Sequence, residues 1–349
     1  MESGGNHNTQ KRNKPVIGIT LGDINGIGPE VVIKALSDPR VNDHLTPVVF
    51  GSTKVLSYYK KMLDMDDFQY SQAKSPDMIH DRRINVINCW NDMVDIKVGE
   101  VTPEGGECAF MALEKAMEYL KEGHIEAIVT APINKKNIQS DDFQFVGHTE
   151  YVASKLGATD SLMLMVADEL RVALVSTHVA LKEVAGDVTS EKIDAKLKLL
   201  IKSLKMDFGI EKPKVAVLGL NPHAGEDGLL GSEERDIIEP LINEYKKKGQ
   251  LVFGPFPADG FFGMLQHQKY DGILAMYHDQ GLIPFKLLCF ESGVNFTAGI
   301  PKVRTSPDHG TAYSIAGKNL ADHTSMREAI YLASHIIKNR NLKEAPLSV

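Results

Sequence analysis

Short, continuous apolar runs alternate along this chain with stretches whose apolar residues recur every three or four positions. The first pattern marks strands buried on both faces and the second marks amphipathic helices. Val16–Thr20 reads as a buried strand followed by a glycine-rich turn. Pro29–Leu36 then reads as a helix, with proline at its first position and Glu30 in its first turn. Phe110, Leu113, Met117 and Leu120 predict a helix over Cys108–Glu122, with Gly123 as its C-cap. Ala127–Ala131 supplies another strand. Ser161–Val166 and Arg171–Val175, four residues apart, predict an antiparallel hairpin. Ile193, Leu197, Leu200, Ile201 and Leu204 define a helix capped by Ser190. Strand runs follow at 215–220, 251–254 and 272–277, and a short helix is expected from Ala312 to about Gly317. Alternation of strand and helix implies an α/β fold, a mainly parallel sheet with helices on both faces, and the hairpin makes the sheet mixed.

Three of the strand runs lead into a histidine. Arg171–Thr177 ends at His178, Val215–Asn221 runs through Pro222 to His223, and Gly272–Tyr277 ends at His278. Ligands of open α/β sheets gather beyond the carboxyl ends of strands, so three imidazoles placed there can meet around one divalent cation with an open position. Each histidine alone is explained as well by a strand end or a loop hydrogen bond; the shared context of all three favours a metal. Neutral nitrogen donors suit zinc or cobalt and leave the ion's charge free to polarise a substrate oxygen.

At 349 residues the chain is long enough for two domains. Its net charge of −7 argues against nucleic acid as a partner, so an anionic ligand needs a local basic pocket. Cys89, Cys108 and Cys289 are scattered with no CxxC pairing, which predicts reduced thiols and a cytoplasmic protein. No apolar run is long enough for a membrane span, and residues 1–14 read as a disordered polar tail without a signal core.

Lys286, Asn295 and Arg304 stand among apolar and glycine-rich segments; lysine, arginine and an amide together suit a phosphate monoester. The flanks of Lys286 read as buried. His148 and Thr149 open a helix expected from Tyr151, where Thr149 is explained equally well as an N-cap. The loop Gly22–Glu30 either cradles phosphate or is a tight structural turn; it is neither a dinucleotide fingerprint nor a Walker A sequence.

The order Gly-Asp-x-x-Gly-Ile-Gly-Pro-Glu, Gly-His-Thr-Glu, Thr-His, Leu-Asn-Pro-His-Ala-Gly-Glu, Ala-Met-Tyr-His-Asp-Gln-Gly and Arg-Thr-Ser-Pro-Asp-His-Gly-Thr-Ala resembles the 4-hydroxythreonine-4-phosphate dehydrogenases of vitamin B6 biosynthesis. The resemblance runs from about Lys14 to near Ile337. It implies a two-domain α/β/α fold like isocitrate and isopropylmalate dehydrogenases, with the active site in the interdomain cleft at a homodimer interface. Residues 15–138 with 301–349 would form one domain and 139–300 the other. It also implies a divalent metal (zinc, magnesium or cobalt) on His178, His223 and His278, and a small phosphorylated amino-acid substrate on His148, Thr149, Lys286, Asn295 and Arg304. NAD or NADP is expected on His309, Gly310, Thr311 and Ala312. For oxidation of the alcohol and loss of carbon dioxide, Lys286 and Asp259 are the proton-transfer candidates. Related dehydrogenases of phosphorylated threonate or erythronate, or of a carboxylated dihydrodiol, are the alternative. Ile24-Asn25 and Gly317-Lys-Asn-Leu depart from the commoner family sequences in the first loop and the cofactor segment.

Overall fold

The computed structural model describes residues 14–344; the expected disordered tail falls almost wholly outside them. Among these residues, twelve strands form one continuous sheet. They are β1 (Val16–Thr20), β2 (Thr46–Gly51), β3 (Ser71–Gln72), β4 (Asn85–Asn88), β5 (Ala127–Thr130), β6 (Leu162–Ala167), β7 (Leu170–Leu174), β8 (Val215–Leu218), β9 (Val252–Phe256), β10 (Gly272–Ala275), β11 (Val294–Ala298) and β12 (Val303–Pro307). Their spatial order is β3-β4-β2-β1-β5-β12-β11-β6-β7-β10-β8-β9.

The pairing divides the sheet into two parallel blocks. From β3 to β12 every pair is parallel, as is every pair from β7 to β9. Between the blocks, β11 is antiparallel to both β12 and β6, and β6 is antiparallel to β7. The hairpin read from the sequence is therefore part of the seam between the two halves. The α/β class and mixed, mainly parallel pairing match the expectation, but the halves share a single sheet rather than carrying one each.

Buried apolar side chains cover both faces. One large cluster joins Ile17, Ile19 and Val129 to Leu200, Leu274 and Ile336, and so runs through both halves. The long helix Thr324–Glu344 packs against β12 and β5 and against the helix Gly28–Leu36.

Several local expectations need correction. The helix over Cys108–Glu122 starts earlier, at Pro103, because Thr102 caps it by accepting a hydrogen bond from the Gly105 amide at 3.1 Å. The helix Ser190–Met206 is capped by Thr189, not Ser190; the Thr189 hydroxyl accepts from the Lys192 amide. Ala312–Gly317 forms successive turns instead of a helix: Ala312 has φ +41° and Gly317 φ +73°, which interrupts any right-handed ladder. The flanks of Lys286 are buried only in part. On the helix His278–Cys289, Phe285 faces the core while Ile283 and Leu287 are 64% and 84% exposed.

Candidate active site

Strand alternation builds the centre of the site. On β12, Val303 and Thr305 face the large core, so Arg304 points to the opposite face. Asn295 and Thr297 face that side from β11, and Thr130 does so from the end of β5. The helix His148–Lys155 lies against this face; it begins at His148, ahead of the expected Tyr151.

Arg304 is 3% exposed. Its Nε and Nη2 donate to the Thr130 hydroxyl at 3.2 and 2.7 Å, and its Nη1 donates to Thr149 at 3.2 Å and Thr297 at 3.3 Å. These partners are neutral. The carboxylate of Glu150 acts on the guanidinium only through space, and burial pulls the arginine down to about 10. A buried guanidinium solvated by hydroxyls alone carries an uncompensated charge. The three threonines accept from it and keep their own O–H groups to donate onward, so the arrangement has the chemistry to receive an anion. Thr149, partly exposed, marks where the cluster meets solvent.

Two unpartnered polar atoms accompany the arginine: among the described residues His148 Nε2 and Asn295 Oδ1 are buried without a hydrogen bond. Burial, with Arg304 and Lys135 adding repulsion, holds His148 well below its ordinary value of 6.5. Its imidazole is therefore neutral at pH 7. In the unfolded chain it takes up a proton below pH 6.5, which the folded chain resists, so stability falls as the pH drops through that value. Each further pH unit costs about 1.4 kcal/mol through this one group. His148→Gln should reduce the slope of unfolding free energy against pH below 6.5 by about one proton; an unaltered slope in denaturant titrations would show that the imidazole titrates freely when folded.

The histidines expected to hold a metal lie where the sequence placed them. His178 follows β7, His278 follows β10 and His223 follows β8, and these three strands are adjacent and parallel. The ladder continues past the strand ends, with the Val175 and Ser176 amides donating to the carbonyls of Ala275 and Met276. All three side chains thus share one edge of the sheet, and His178 and His278 are half exposed. Their chemistry fits a divalent cation, yet within one chain they do not close on a point: no group of three or more His, Cys, Asp or Glu side chains among the described residues is arranged to hold a metal. His178 instead approaches Glu150, at 3.8 Å. Because Thr149 reaches Arg304, that helix joins the histidine edge to the anion receptor.

Lys286 and Asp259 are not drawn into the receptor. Lys286 Nζ pairs with Asp308 at 3.1 Å, and burial raises Asp308 against the opposing pull of Lys286, His309 and His278. Asp259 lies exposed on the short helix Ala258–Gly263.

The segment His309–Ala312 packs on the first glycine loop. The Ile27 amide donates to the Thr311 carbonyl at 2.9 Å, and Tyr313 donates to Asp23 at 2.7 Å. In that loop the amides of Asp23, Asn25, Gly26 and Ile27 are all taken by protein acceptors, so it is a structural turn with none of these four donors left for phosphate. His309 Nε2 is buried and unpartnered, and nothing lies within 4 Å of a Cβ built on Gly310. An unpaired donor or acceptor beside open backbone fits a polar ligand such as a nucleotide. Sequence reasoning missed Thr130, Thr297 and Glu150; threonine in a strand is ordinary β composition and carries no signal of its own.

Comparison with known proteins places the chain among characterised folds and families. A 4-hydroxythreonine-4-phosphate dehydrogenase of Bacteroides thetaiotaomicron is 50% identical over 336 residues, covering 96% of this chain and 92% of the relative. The crystal structure of a 4-hydroxythreonine-4-phosphate dehydrogenase from Klebsiella pneumoniae superposes with a TM-score of 0.79 at 36% identity, covering 93% of this chain and 99% of the other. At the level of fold alone, an isocitrate dehydrogenase from Methylococcus capsulatus matches with a TM-score of 0.50 at 13% identity, covering 94% and 87%. Fold and relatives together define a dehydrogenase enzyme with an isocitrate-dehydrogenase-like α/β architecture. A family model described as pyridoxal phosphate biosynthetic protein PdxA matches residues 43–333. The chain belongs to that family.

Proposed function

We propose that this enzyme oxidises the secondary alcohol of 4-hydroxy-L-threonine 4-phosphate with NAD or NADP, and that decarboxylation then yields 3-amino-2-oxopropyl phosphate. The observation that carries this reading is the buried Arg304, charged and without a counter-ion. A phosphate ester supplies the missing charge; Arg304 and the hydroxyls of Thr130, Thr149 and Thr297 surround it, and Asn295 hydrogen-bonds the substrate from the same face. Neutral His148 completes the receptor without adding repulsion.

His178, His223 and His278 would hold one divalent ion per subunit (zinc, magnesium or cobalt), the set closing when two copies bring their histidine edges together. When bound, such an ion supplies Lewis acidity at the substrate oxygen. The homodimer is supported by the exposed apolar face of Ile283, Leu287 and Phe290, on and just after the helix that starts at His278. His309, Gly310, Thr311 and Ala312 would take the nucleotide. The proton leaving the alcohol passes to Lys286 or Asp259, whichever the bound substrate reaches. Free thiols at Cys89, Cys108 and Cys289 suit a cytoplasmic enzyme, and no helix among the described residues is long and apolar enough to cross a membrane.

The test is an assay of reduced nucleotide and carbon dioxide from 4-hydroxythreonine 4-phosphate, with its unphosphorylated form and phosphothreonate in parallel. Equal products of both kinds, with the phosphorylated amino acid preferred at least a hundredfold, are expected. Equal rates with and without the phosphate would overturn the assignment of Arg304.

A further inference from the structure

The backbone after β8 is unusual. His223, Ala224, Gly225, Glu226 and Asp227 have φ of 54°, 50°, 80°, 43° and 55°, five left-handed residues in succession. For side chains other than glycine this conformation costs about 1–2 kcal/mol per residue and is ordinarily visited singly, so the surrounding structure must impose it.

Glu234 packs against this turn and holds the residues that lead into it. It is 2% exposed. Its Oε1 accepts from the backbone amides of Leu220 at 2.6 Å and Asn221 at 2.7 Å, and its Oε2 accepts from the Asn221 side-chain amide at 2.9 Å. A Cβ built on Gly225 would meet Oε2 at 2.6 Å, so the turn is folded directly onto this carboxylate. A buried carboxylate facing amides is a costly way to fix a turn that an apolar side chain could pack against; what it adds is a set direction for the residues entering His223. Gln280 fastens the same loop to the neighbouring strand end, accepting from the Met276 amide at 2.8 Å and donating to the Gly219 carbonyl at 2.6 Å.

We infer that Glu234 is a positioning residue for His223: it holds the left-handed turn so that the imidazole is already directed when a divalent cation arrives. The inference rests on the reading that His178, His223 and His278 bind that cation. Without the carboxylate the turn relaxes toward right-handed conformations, and part of the binding free energy is consumed in re-forming it. Sequence reading had no access to this role, because Glu233-Glu234-Arg235-Asp236 looks like a solvated helix face.

The test uses Co²⁺ alone, titrated into the full-length protein against a competing chelator, for wild type, His223→Ala, Glu234→Ala and Glu234→Gln. Circular dichroism and size-exclusion elution confirm that each variant keeps the fold and assembly of wild type. Glu234→Ala should bind Co²⁺ about 10- to 100-fold more weakly. Glu234→Gln should fall between, since its carbonyl oxygen can still accept from the two backbone amides while its NH₂ confronts that of Asn221. Wild-type affinity in a folded Glu234→Ala overturns the inference; if that variant does not fold, wild-type affinity in Glu234→Gln does so instead. A wild type that binds no Co²⁺, or a His223→Ala variant that binds it equally well, removes the metal reading itself, an outcome distinct from unaffected binding in the Glu234 variants alone.

Discussion

Arg304→Met should cut kcat/KM about a thousandfold while making the ligand-free protein more stable. The two effects have one cause. In the free enzyme the guanidinium is buried on three hydroxyls with no anion beside it, and replacing a poorly compensated buried charge by an apolar side chain is often stabilising by about 1–4 kcal/mol. Thr130 and Thr297 lose a donor but keep their own O–H groups, which brings the expected gain to about 1–2 kcal/mol. With substrate bound the same charge faces a phosphate, and its loss leaves that anion unpaired in a dry site, a penalty of about 3–5 kcal/mol. That corresponds to a fall of roughly three orders of magnitude in kcat/KM. Thermal unfolding with and without inorganic phosphate separates the effects: phosphate should raise the Tm of wild type and leave that of Arg304→Met unmoved. Arg304→Lys keeps the charge but not the planar fork, and should recover only part of the activity. A ligand-free Arg304→Met protein less stable than wild type would show that the arginine is structural and would withdraw the anion-receptor argument.

How much of this was legible in the sequence follows from which residues carry a local signal. His178, His223 and His278 could be placed on one edge because each ends an apolar run, and apolar runs become adjacent strands. Arg304 and Asn295 could be singled out as candidate ligands, yet their own strands went unread. Asn295 and Thr297 alternate with apolar residues over Val294–Ala298, whereas Arg304, Thr305 and Ser306 make an unbroken polar run inside Val303–Pro307, and strands so short are easily taken for loops once their polar members are read as chemistry. Thr130, Thr297 and Glu150 matter only through partners on other elements, so pattern alone cannot mark them. The Lys286 segment shows the opposite failure: Ile283 and Leu287 read as core because they are apolar, whereas Leu282 and Phe285 are the residues of that helix that turn inward. Apolar composition gives the tendency to be covered, and a homodimer is one way to cover that face; the sequence does not say by what. The segment after Ala312 was read as helix from its composition, but the turn at Ala312 is set by the glycine loop packed beneath it.

That contact leads to the most damaging single-methyl change expected in this chain, Gly22→Ala. Gly22 has φ +66°, and a Cβ there would lie 2.2 Å from the Pro132 carbonyl oxygen and 2.9 Å from the Ala131 carbonyl. Both obstacles are backbone at the end of β5 and cannot swing aside. The left-handed conformation alone costs about 1 kcal/mol for alanine. Forcing the chains apart adds about 1–3 kcal/mol of strain and breaks the hydrogen bond from the Asp23 amide to Pro132, 3.0 Å long, worth about 1 kcal/mol. A loss of about 3–5 kcal/mol is therefore expected in denaturant unfolding. The consequence travels to function through Asp23. Its carboxylate accepts from the Asn25 amide, from Asn137 at 2.8 Å and from Tyr313 at 2.7 Å, so displacing it frees the tether on the segment that follows His309–Ala312. In the folded fraction at low temperature, KM for the nicotinamide nucleotide should rise several-fold; KM for the phosphorylated substrate should rise less, since Ala131 and Pro132 follow directly on Thr130, the closest partner of Arg304. Equal increases in both constants would show that Gly22 supports the sheet as a whole and has no particular connection to the segment His309–Ala312.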